Sequence, residues 1–308
     1  MNEEPSPRGV HRRILHLLDF TREFEEATNG IGLVWFRGQA DASWDLTPGV
    51  LREEFERKAQ RRYPHLSAPQ EGRSPVFAVE RLMNTEFQRQ GAALLREPDD
   101  PVSVYLEAQH WGLPTRLLDW TTDPLVALFF ACVEHQSCKG TVWVFSPYDH
   151  YYYRIFEEIP GQQRVEGVVR ITQTPVKAHH EAFVGQVYNL FSEYHQKPVL
   201  PENGPDERLR GLAANSGGKF SLPKSRLRGV LPVLPGLKFE RISSQQGCFT
   251  FHPDGSGDLT GLAQRIDVEA HEKAEVLEDL RRLGVTWARI YPELGSIARA
   301  VRSRYIGQ

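Results

Sequence analysis

The sequence is poor in cysteine and lysine and contains no long apolar run. Three cysteines occur in 308 residues, at positions 132, 138 and 248, and their spacing matches no metal-binding motif. An odd number of scattered cysteines is typical of a reducing compartment. No run is apolar enough to cross a bilayer, and residues 1–20 lack the apolar core and cleavage site of a signal peptide. We therefore expect a cytoplasmic protein without a membrane partner.

Charge and short motifs exclude further classes of protein. The formal net charge is −3, which gives no overall attraction to nucleic acid or to anionic membranes. The basic residues are mostly arginine, 29 against 8 lysines. The sequence contains no GxxxxGK[ST] phosphate loop, no GxGxxG turn, no HExxH pair and no GxSxG elbow. The function must therefore rest on another arrangement of residues, and we expect no bound metal ion.

The most informative segment is 109–131, in which a polar, turn-rich stretch leads into an apolar helix. Gly112 and Pro114 predict a turn, followed by a short strand over 116–120. Asp123 and Pro124 are typical of a helix start, with proline in the first turn. Side chains suited to ligand binding are concentrated before that helix: Gln109, His110, Thr115, Arg116, Asp119, Trp120 and Thr121. A rigid frame with a polar corner is a common site geometry.

A second segment, 31–48, predicts a buried strand over 33–36 that ends in Arg37, Gly38 and Gln39. An arginine at the end of an apolar strand is costly to bury unless it is paired. The following glycine lets a ligand or another backbone approach closely. A guanidinium held in this way suits a phosphate group. We therefore interpret Arg37 as the anchor of an anionic ligand.

Structural roles explain the same residues and stay open at this stage. Arg37 could pair with Asp119 and join two strands, or Arg116 could form a buried salt bridge with Asp119. Desolvation would raise the pKa of Asp119, which lies between two apolar residues, and a nearby arginine would lower it. His110 could be a general base, a ribose ligand or a helix-end residue. Gln245 could orient an amide or fill a sheet-edge hydrogen bond. Three tryptophans could stack on a base or belong to the core: Trp44, Trp111 and Trp120.

The remaining pattern predicts an N-terminal helix within residues 1–30 and a single α+β domain over 31–308. Residues 196–237, rich in proline and glycine, predict an insert or lid. Strands and helices mix without βα alternation, so we expect a central mixed or antiparallel split sheet flanked by helices. The expected strands are 141–145, 239–242, 247–252 and 288–291, and the expected helices are 10–28, 76–96, 270–283 and 293–302.

The two segments together resemble the FRG domain family, which is named after a Phe-Arg-Gly motif. Residues 36–38 carry that motif, and Gln39 follows it. The resemblance runs over about 30–255 and is closest at QHWGLPTRLLDWT, residues 109–121. It ends with Arg241-Ile242 and with the pattern QxGxFT over 245–250. The length and spacing of the match are specific for the family and much less specific for an activity.

A weaker similarity, at the level of the fold, is to ADP-ribosyltransferases of the Arg/Ser/Glu kind. Those enzymes carry an arginine after an aromatic residue on one strand, hydroxyl groups on a second strand and a carboxylate on a later strand. Here Arg37 would take the first place and 119–121 the second. The later strand carries Gln245 and Gln246 where a glutamate would be expected. The similarity implies NAD as the substrate and an ADP-ribosyltransferase-like sheet.

The function expected from this similarity is NAD-dependent ADP-ribosyl transfer to a protein or nucleic acid, or cleavage of NAD. The catalytic residues would be Arg37, His110, Asp119, Thr121 and Gln245. The residues that bind NAD would be Arg37, Gly38, Gln39, Gln109, Thr115, Arg116 and Trp120. In a bacterium such an activity would suit a toxin or an anti-phage defence effector. Two alternatives stay open: a non-catalytic nucleotide- or RNA-binding module, which the missing glutamate favours, and a nuclease.

Overall fold

The computed structural model describes residues 12–27, 34–64, 75–147, 187, 230–235, 240–253, 259 and 263–306. The helices are α1 (Arg12–Ala27), α2 (Glu53–Arg62), α3 (Pro75–Gly91), α4 (Pro101–His110), α5 (Pro124–Cys132), α6 (Glu240–Ser244), α7 (Lys273–Arg282), α8 (Trp287–Ile290) and α9 (Leu294–Ile306). The strands are β1 (Trp35–Gln39), β2 (Leu117–Thr121), β3 (Gly140–Phe145), β4 (Leu231–Val233), β5 (Gly247–Phe251) and β6 (Gln264–Val268). The expected insert at 196–237 lies outside the described residues except for 230–235. None of the described helices is both long and apolar enough to span a membrane.

The six strands form one antiparallel sheet in the order β4-β5-β2-β1-β3-β6. β1 and β3 align five residue pairs, and so do β2 and β5. β1 and β2 meet at a single pair, Phe36 opposite Thr121. The sheet therefore consists of two three-stranded halves joined at one point, and the expected α+β class is confirmed. All of the pairings are antiparallel, so the mixed sheet is excluded for the described strands.

Each half of the sheet packs against its own helix. In the β1-β3-β6 half, Phe36, Val142 and Val144 share a buried cluster with α5, and Ile14 and Leu17 of α1 join that cluster. In the β4-β5-β2 half, Leu117 and Phe251 pack with Val104 and Tyr105 of α4. A third cluster contains residues of both halves, with Trp35, Trp143 and Phe145 from the first half and Trp120 from the second. The N-terminal helix is thus part of the same core as the strands.

The same two-residue signal starts both of these helices. Asp100 accepts hydrogen bonds from the backbone nitrogens of Val102 and Ser103 at the start of α4. Asp123 does the same for the first turn of α5, and proline is the first helical residue in both cases. An aspartate cap satisfies backbone donors that have no partner inside the helix, and proline loses nothing at that position. These caps fix where the helices begin beside the sheet.

Two glycines allow α5 to lie directly on the strands. A Cβ at Gly38 would stand 1.8 Å from the carbonyl oxygen of Ala127, and one at Gly140 would stand 2.1 Å from that of Ala131. No other residue fits at such separations. The close approach predicted for Gly38 is therefore made by the backbone of a helix.

Three predicted elements were wrong or misplaced. Residues 240–244 form helix α6, and residues 287–290 form helix α8, where strands were expected. Thr286 caps α8 by accepting a hydrogen bond from the backbone nitrogen of Arg289. The strand was predicted because the apolar residues alternate over these few positions, and the capping threonine was overlooked. β1 begins two residues later than expected, so Arg37 lies in the middle of the strand. Arg37 is thereby held by backbone pairing with β3 on both sides.

Candidate functional site

A cleft of about 300 Å³ lies where the two halves of the sheet meet. Strands β1, β2 and β5 form its floor, and α4, α5, α6 and the residue after α8 supply its walls. Its lining includes six residues with polar side chains that reach the cleft from different elements: Arg37, Gln109, His110, Asp119, Arg241 and Gln245. The fold thus brings together residues from three distant segments, and all of them except Arg241 were expected in the site.

Arg37 is the most deeply placed cation of the cleft. Its side chain is 15% exposed, and its Nη1 donates to the backbone carbonyl of Asp119 at 2.7 Å. The Asp119 carboxylate lies 3.9 Å from the same nitrogen, and Nε of Arg37 is buried without a hydrogen-bond partner among the described residues. Burial lowers the pKa of Arg37, Asp119 opposes that effect, and Arg52 adds to it. A buried donor without a partner is costly, so this guanidinium is prepared for a further acceptor.

Asp119 is more exposed than its apolar neighbours suggested. Its side chain is 58% exposed because it occupies the one outward position of β2. Both carboxylate oxygens lie 3.0 Å from Nε2 of Gln109, whose Oε1 accepts from the hydroxyl of Thr115 at 2.6 Å. The expected desolvation of Asp119 is thus wrong. Instead, Thr115 fixes Gln109, and Gln109 holds the carboxylate towards the cleft.

His110 and Arg241 form the opposite wall. Arg241 donates to the backbone carbonyl of His110 at 3.1 Å, and its guanidinium lies 4.2 Å from the ring centre of Tyr291. Burial, with help from Arg241, lowers the pKa of His110. The imidazole is therefore neutral at pH 7 and able to accept a proton. Tyr291 stacks on Trp287 at 4.7 Å and meets Phe130 edge-on, which gives the cleft an aromatic side.

Thr121 and Gln245 line the cleft but are bonded within the protein. The hydroxyl of Thr121 donates to the Gln245 carbonyl at 2.6 Å and accepts from the backbone nitrogen of Asp123 at 2.9 Å. The side-chain amide of Gln245 donates to the carbonyl of Ile290 at 3.3 Å. These bonds join β2, α6 and α8 around the cleft. Both residues thus hold the elements together as well as contributing surface.

Four other predicted ligand residues have their polar groups in the interior. Gln39 binds the Asp45 carbonyl and the indole nitrogen of Trp143. Thr115 is fully buried, and Trp120 touches the cleft while its Nε1 donates to Thr250 at 3.0 Å. Arg116 forms an ion pair with Glu80 at 2.7 Å, away from the cleft lining. Arg116 is therefore part of a buried ion pair, but its partner is Glu80 and not the expected Asp119.

Arg241, Phe130 and Tyr291 line the cleft and were not predicted as site residues. Arg241 and Phe130 were noticed only as parts of the family pattern, and Tyr291 precedes Pro292 at the end of a helix mistaken for a strand. An arginine next to a glutamine-containing turn could have been considered a second cation. Among the described residues, no group of three histidine, cysteine or acidic side chains is placed to hold a metal ion.

The fold and the cleft define an α+β protein whose antiparallel sheet carries a polar site at the junction of its halves. The family model of the FRG domain matches residues 32–139, which include β1, β2, α4 and α5. The resemblance to the FRG domain family is therefore confirmed over these residues. No curated protein and no solved structure matches the chain. Similarity to ADP-ribosyltransferases stays a prediction.

Proposed function

We propose that the chain binds NAD in the cleft and cleaves the bond between nicotinamide and ribose, with transfer of ADP-ribose to a macromolecule or to water. The supporting observation is the pair Arg37 and Asp119. A buried guanidinium with an unused donor lies beside a carboxylate that is exposed to the cleft. The first suits a diphosphate, and the second suits a developing positive charge on ribose.

The reaction balances without a cofactor. The bond from ribose C1′ to the nicotinamide nitrogen breaks, and both electrons leave with nicotinamide, which departs as a neutral molecule. The ribose then carries oxocarbenium character, as in glycoside hydrolysis. Asp119 would stabilise that charge, the acceptor would attack C1′, and the neutral His110 would take the acceptor's proton. Such an activity would suit a toxin or a defence effector.

The test is release of nicotinamide from NAD, measured by mass spectrometry with and without RNA, DNA and cell lysate. Arg37→Ala and Asp119→Asn should each lower the rate by about 10²-fold or more, because each removes one charge aimed at the substrate. Arg281→Ala and Glu278→Gln are matched controls, since both residues are exposed on α7 and neither lines the cleft. Equal rates in Arg37→Ala and the wild type would refute the proposal.

A binding module without catalysis is the second candidate. Two arginines, Arg37 and Arg241, line the cleft, and Asp119 is the single carboxylate in the described lining. This excess of positive charge suits an anion whether or not a bond is broken. In that case NAD or RNA would bind with an affinity that falls as salt rises, and no nicotinamide would be released.

A further inference from the structure

A smaller pocket of about 160 Å³ lies beside the cleft and shares Arg37, Gly38, Phe130 and Tyr291 with it. We call it the second pocket. The residues that belong to it alone include Trp44, Arg52, Glu134 and Trp287. Arg37 therefore lies between two hollows, so a ligand that extends from one to the other would pass its guanidinium.

The cleft alone is small for a dinucleotide. Its volume of about 300 Å³ is at the lower end of the roughly 300–1,000 Å³ found for small-molecule sites. A nicotinamide riboside unit fits such a volume better than a molecule with two nucleosides and a diphosphate. The remaining half of the substrate needs an adjoining space, and the second pocket provides one.

The second pocket is lined by a second guanidinium. Arg52 is exposed, and in the described part of the chain no carboxylate lies within ion-pair distance of it. Among the described residues its guanidinium makes one hydrogen bond, from Nε to the carbonyl of Thr47 at 3.3 Å. The proximity of Arg52 lowers the pKa of Arg37 beyond the effect of burial. Two nearby cations repel one another, and an anion between them would remove that repulsion.

Aromatic rings line the same pocket. Trp44 is 42% exposed, and the ring of His135 holds it edge-on at 5.0 Å. Trp287 and Tyr291 form a stacked pair close by. A large ring that is positioned and yet partly open to solvent offers a flat face on which a base can stack.

A buried lysine keeps the pocket's wall in place. Lys273 is fully buried, and its Nζ donates to the carbonyls of Ala40, Glu134 and His135 at 2.6, 3.2 and 3.0 Å. These bonds fix the end of β1 to the turn after α5. The exposed carboxylate of Glu134 consequently lies on a rigid segment at the pocket, where it could accept ribose hydroxyls.

We infer that the second pocket binds the adenosine monophosphate half of a dinucleotide, with Arg37 and Arg52 on phosphate, Glu134 on ribose and Trp44 on the base. This inference rests on the proposed function, since it extends the NAD site into the neighbouring hollow. It assigns the choice of dinucleotide to Arg52, Glu134 and Trp44, which take no part in the proposed bond cleavage.

The test is calorimetric titration of AMP and, separately, of nicotinamide riboside, neither of which needs turnover. Arg52→Ala and Trp44→Ala should each weaken AMP binding about tenfold or more and leave nicotinamide riboside binding unchanged. Arg57→Ala, an exposed arginine one turn further along α2, is the matched control and should bind AMP like the wild type. AMP that fails to bind the wild type, or that binds Arg52→Ala with unchanged affinity, would overturn the inference.

The two proposals fail in different ways. If AMP binding depends on Arg52 and no nicotinamide is released from NAD, the inference about the second pocket is supported and the proposal of NAD cleavage is refuted. If nicotinamide is released and the KM for NAD is unchanged in Arg52→Ala and Trp44→Ala, the proposal of NAD cleavage is supported and the inference about the second pocket is refuted.

Discussion

Two regions of the molecule each contain an arginine at or beside a strand. One is the cleft, with Arg37, and the other is the buried ion pair of Arg116 with Glu80. Arg116 has two short hydrogen bonds: its Nε donates to Glu80 at 2.7 Å, and its Nη1 donates to the Pro253 carbonyl at 2.7 Å. Its guanidinium also lies 4.8 Å from the ring centre of Phe77. Arg37 has one short hydrogen bond and a buried Nε without a partner among the described residues.

The difference shows that residue type alone does not identify a ligand arginine. Both residues precede or occupy apolar strands, and both were predicted to bind a ligand. Nε of Arg116 donates to a carboxylate, whereas Nε of Arg37 is buried without a partner among the described residues. The unpaired Nε and the adjoining cleft are the two features by which we propose Arg37 as the ligand-binding arginine of the two.

The largest effect is expected for Arg116→Ala. This change leaves the fully buried Glu80 without its cation and should lower the free energy of unfolding by about 3–5 kcal/mol. Urea denaturation followed by circular dichroism measures the loss. Arg281→Ala, which breaks an exposed pair on α7, should show no measurable change. A comparably small loss in Arg116→Ala would contradict the structural role of the buried pair.

Gly38→Ala should be the next most severe change. The added methyl group would meet the carbonyl of Ala127 at 1.8 Å, so α5 would have to move, at a cost of about 1–3 kcal/mol or more. Gly112→Ala is the control for conformation without crowding, because Gly112 has a φ of +85° and open space around it. Gly112→Ala should lower the free energy of unfolding by about 1–2 kcal/mol. If Gly112→Ala proved clearly the more harmful in thermal unfolding, the helix contact would be unimportant.

Arg37→Ala should affect stability less than Arg116→Ala and binding far more. It removes one charge-assisted bond to a carbonyl, which corresponds to about 1–2 kcal/mol of stability. Measuring urea denaturation and NAD binding on the same samples separates the two effects. A stability loss equal to that of Arg116→Ala would place both arginines in the structural class and remove the contrast between the regions.

The smallest effect concerns pH and His110. Burial lowers the pKa of this imidazole in the folded state, so the unfolded chain binds the proton more readily. The contribution of the neutral His110 ring to the free energy of unfolding is fully present above the ordinary histidine pKa of about 6.5. It is lost as the pH falls through the lower pKa that His110 has in the folded state. Relative to the wild type, His110→Gln should therefore show a weaker decline in melting temperature below pH 6.5. Parallel declines in both proteins would show that His110 is not desolvated.

The sequence predicted the fold where signals were local and repeated. Asp123-Pro124 marked the start of α5, and the apolar run at 141–145 marked β3, because capping and burial act within a few residues. α6 and α8 were mistaken for strands, since four or five residues cannot distinguish a period of two from a single helical turn. The single-pair junction at Phe36 and Thr121 depends on the relative orientation of whole strands, which no local pattern encodes.

The site was predicted in part for the same reason. Arg37, Gln109, His110, Asp119 and Gln245 were named from sequence, and the fold brings them to one cleft. The partner of the buried Arg116 could not be predicted, because Glu80 lies 36 residues earlier on α3. Arg241 lines the cleft from helix α6, whose residues were predicted to form a strand. Long-range partners decide which polar residues are satisfied, and their identity follows only from the folded chain.

The three residues of the Phe-Arg-Gly motif answer to three separate demands. Phe36 packs in the core, and Gly38 leaves room for the backbone of α5. Of the three, Arg37 has a buried side-chain donor without a hydrogen-bond partner among the described residues. A related sequence could exchange the arginine and keep both neighbours without losing the architecture. In related sequences, conservation of the phenylalanine and glycine would therefore follow from the fold alone, and the proposed function predicts that loss of the arginine marks loss of ligand binding.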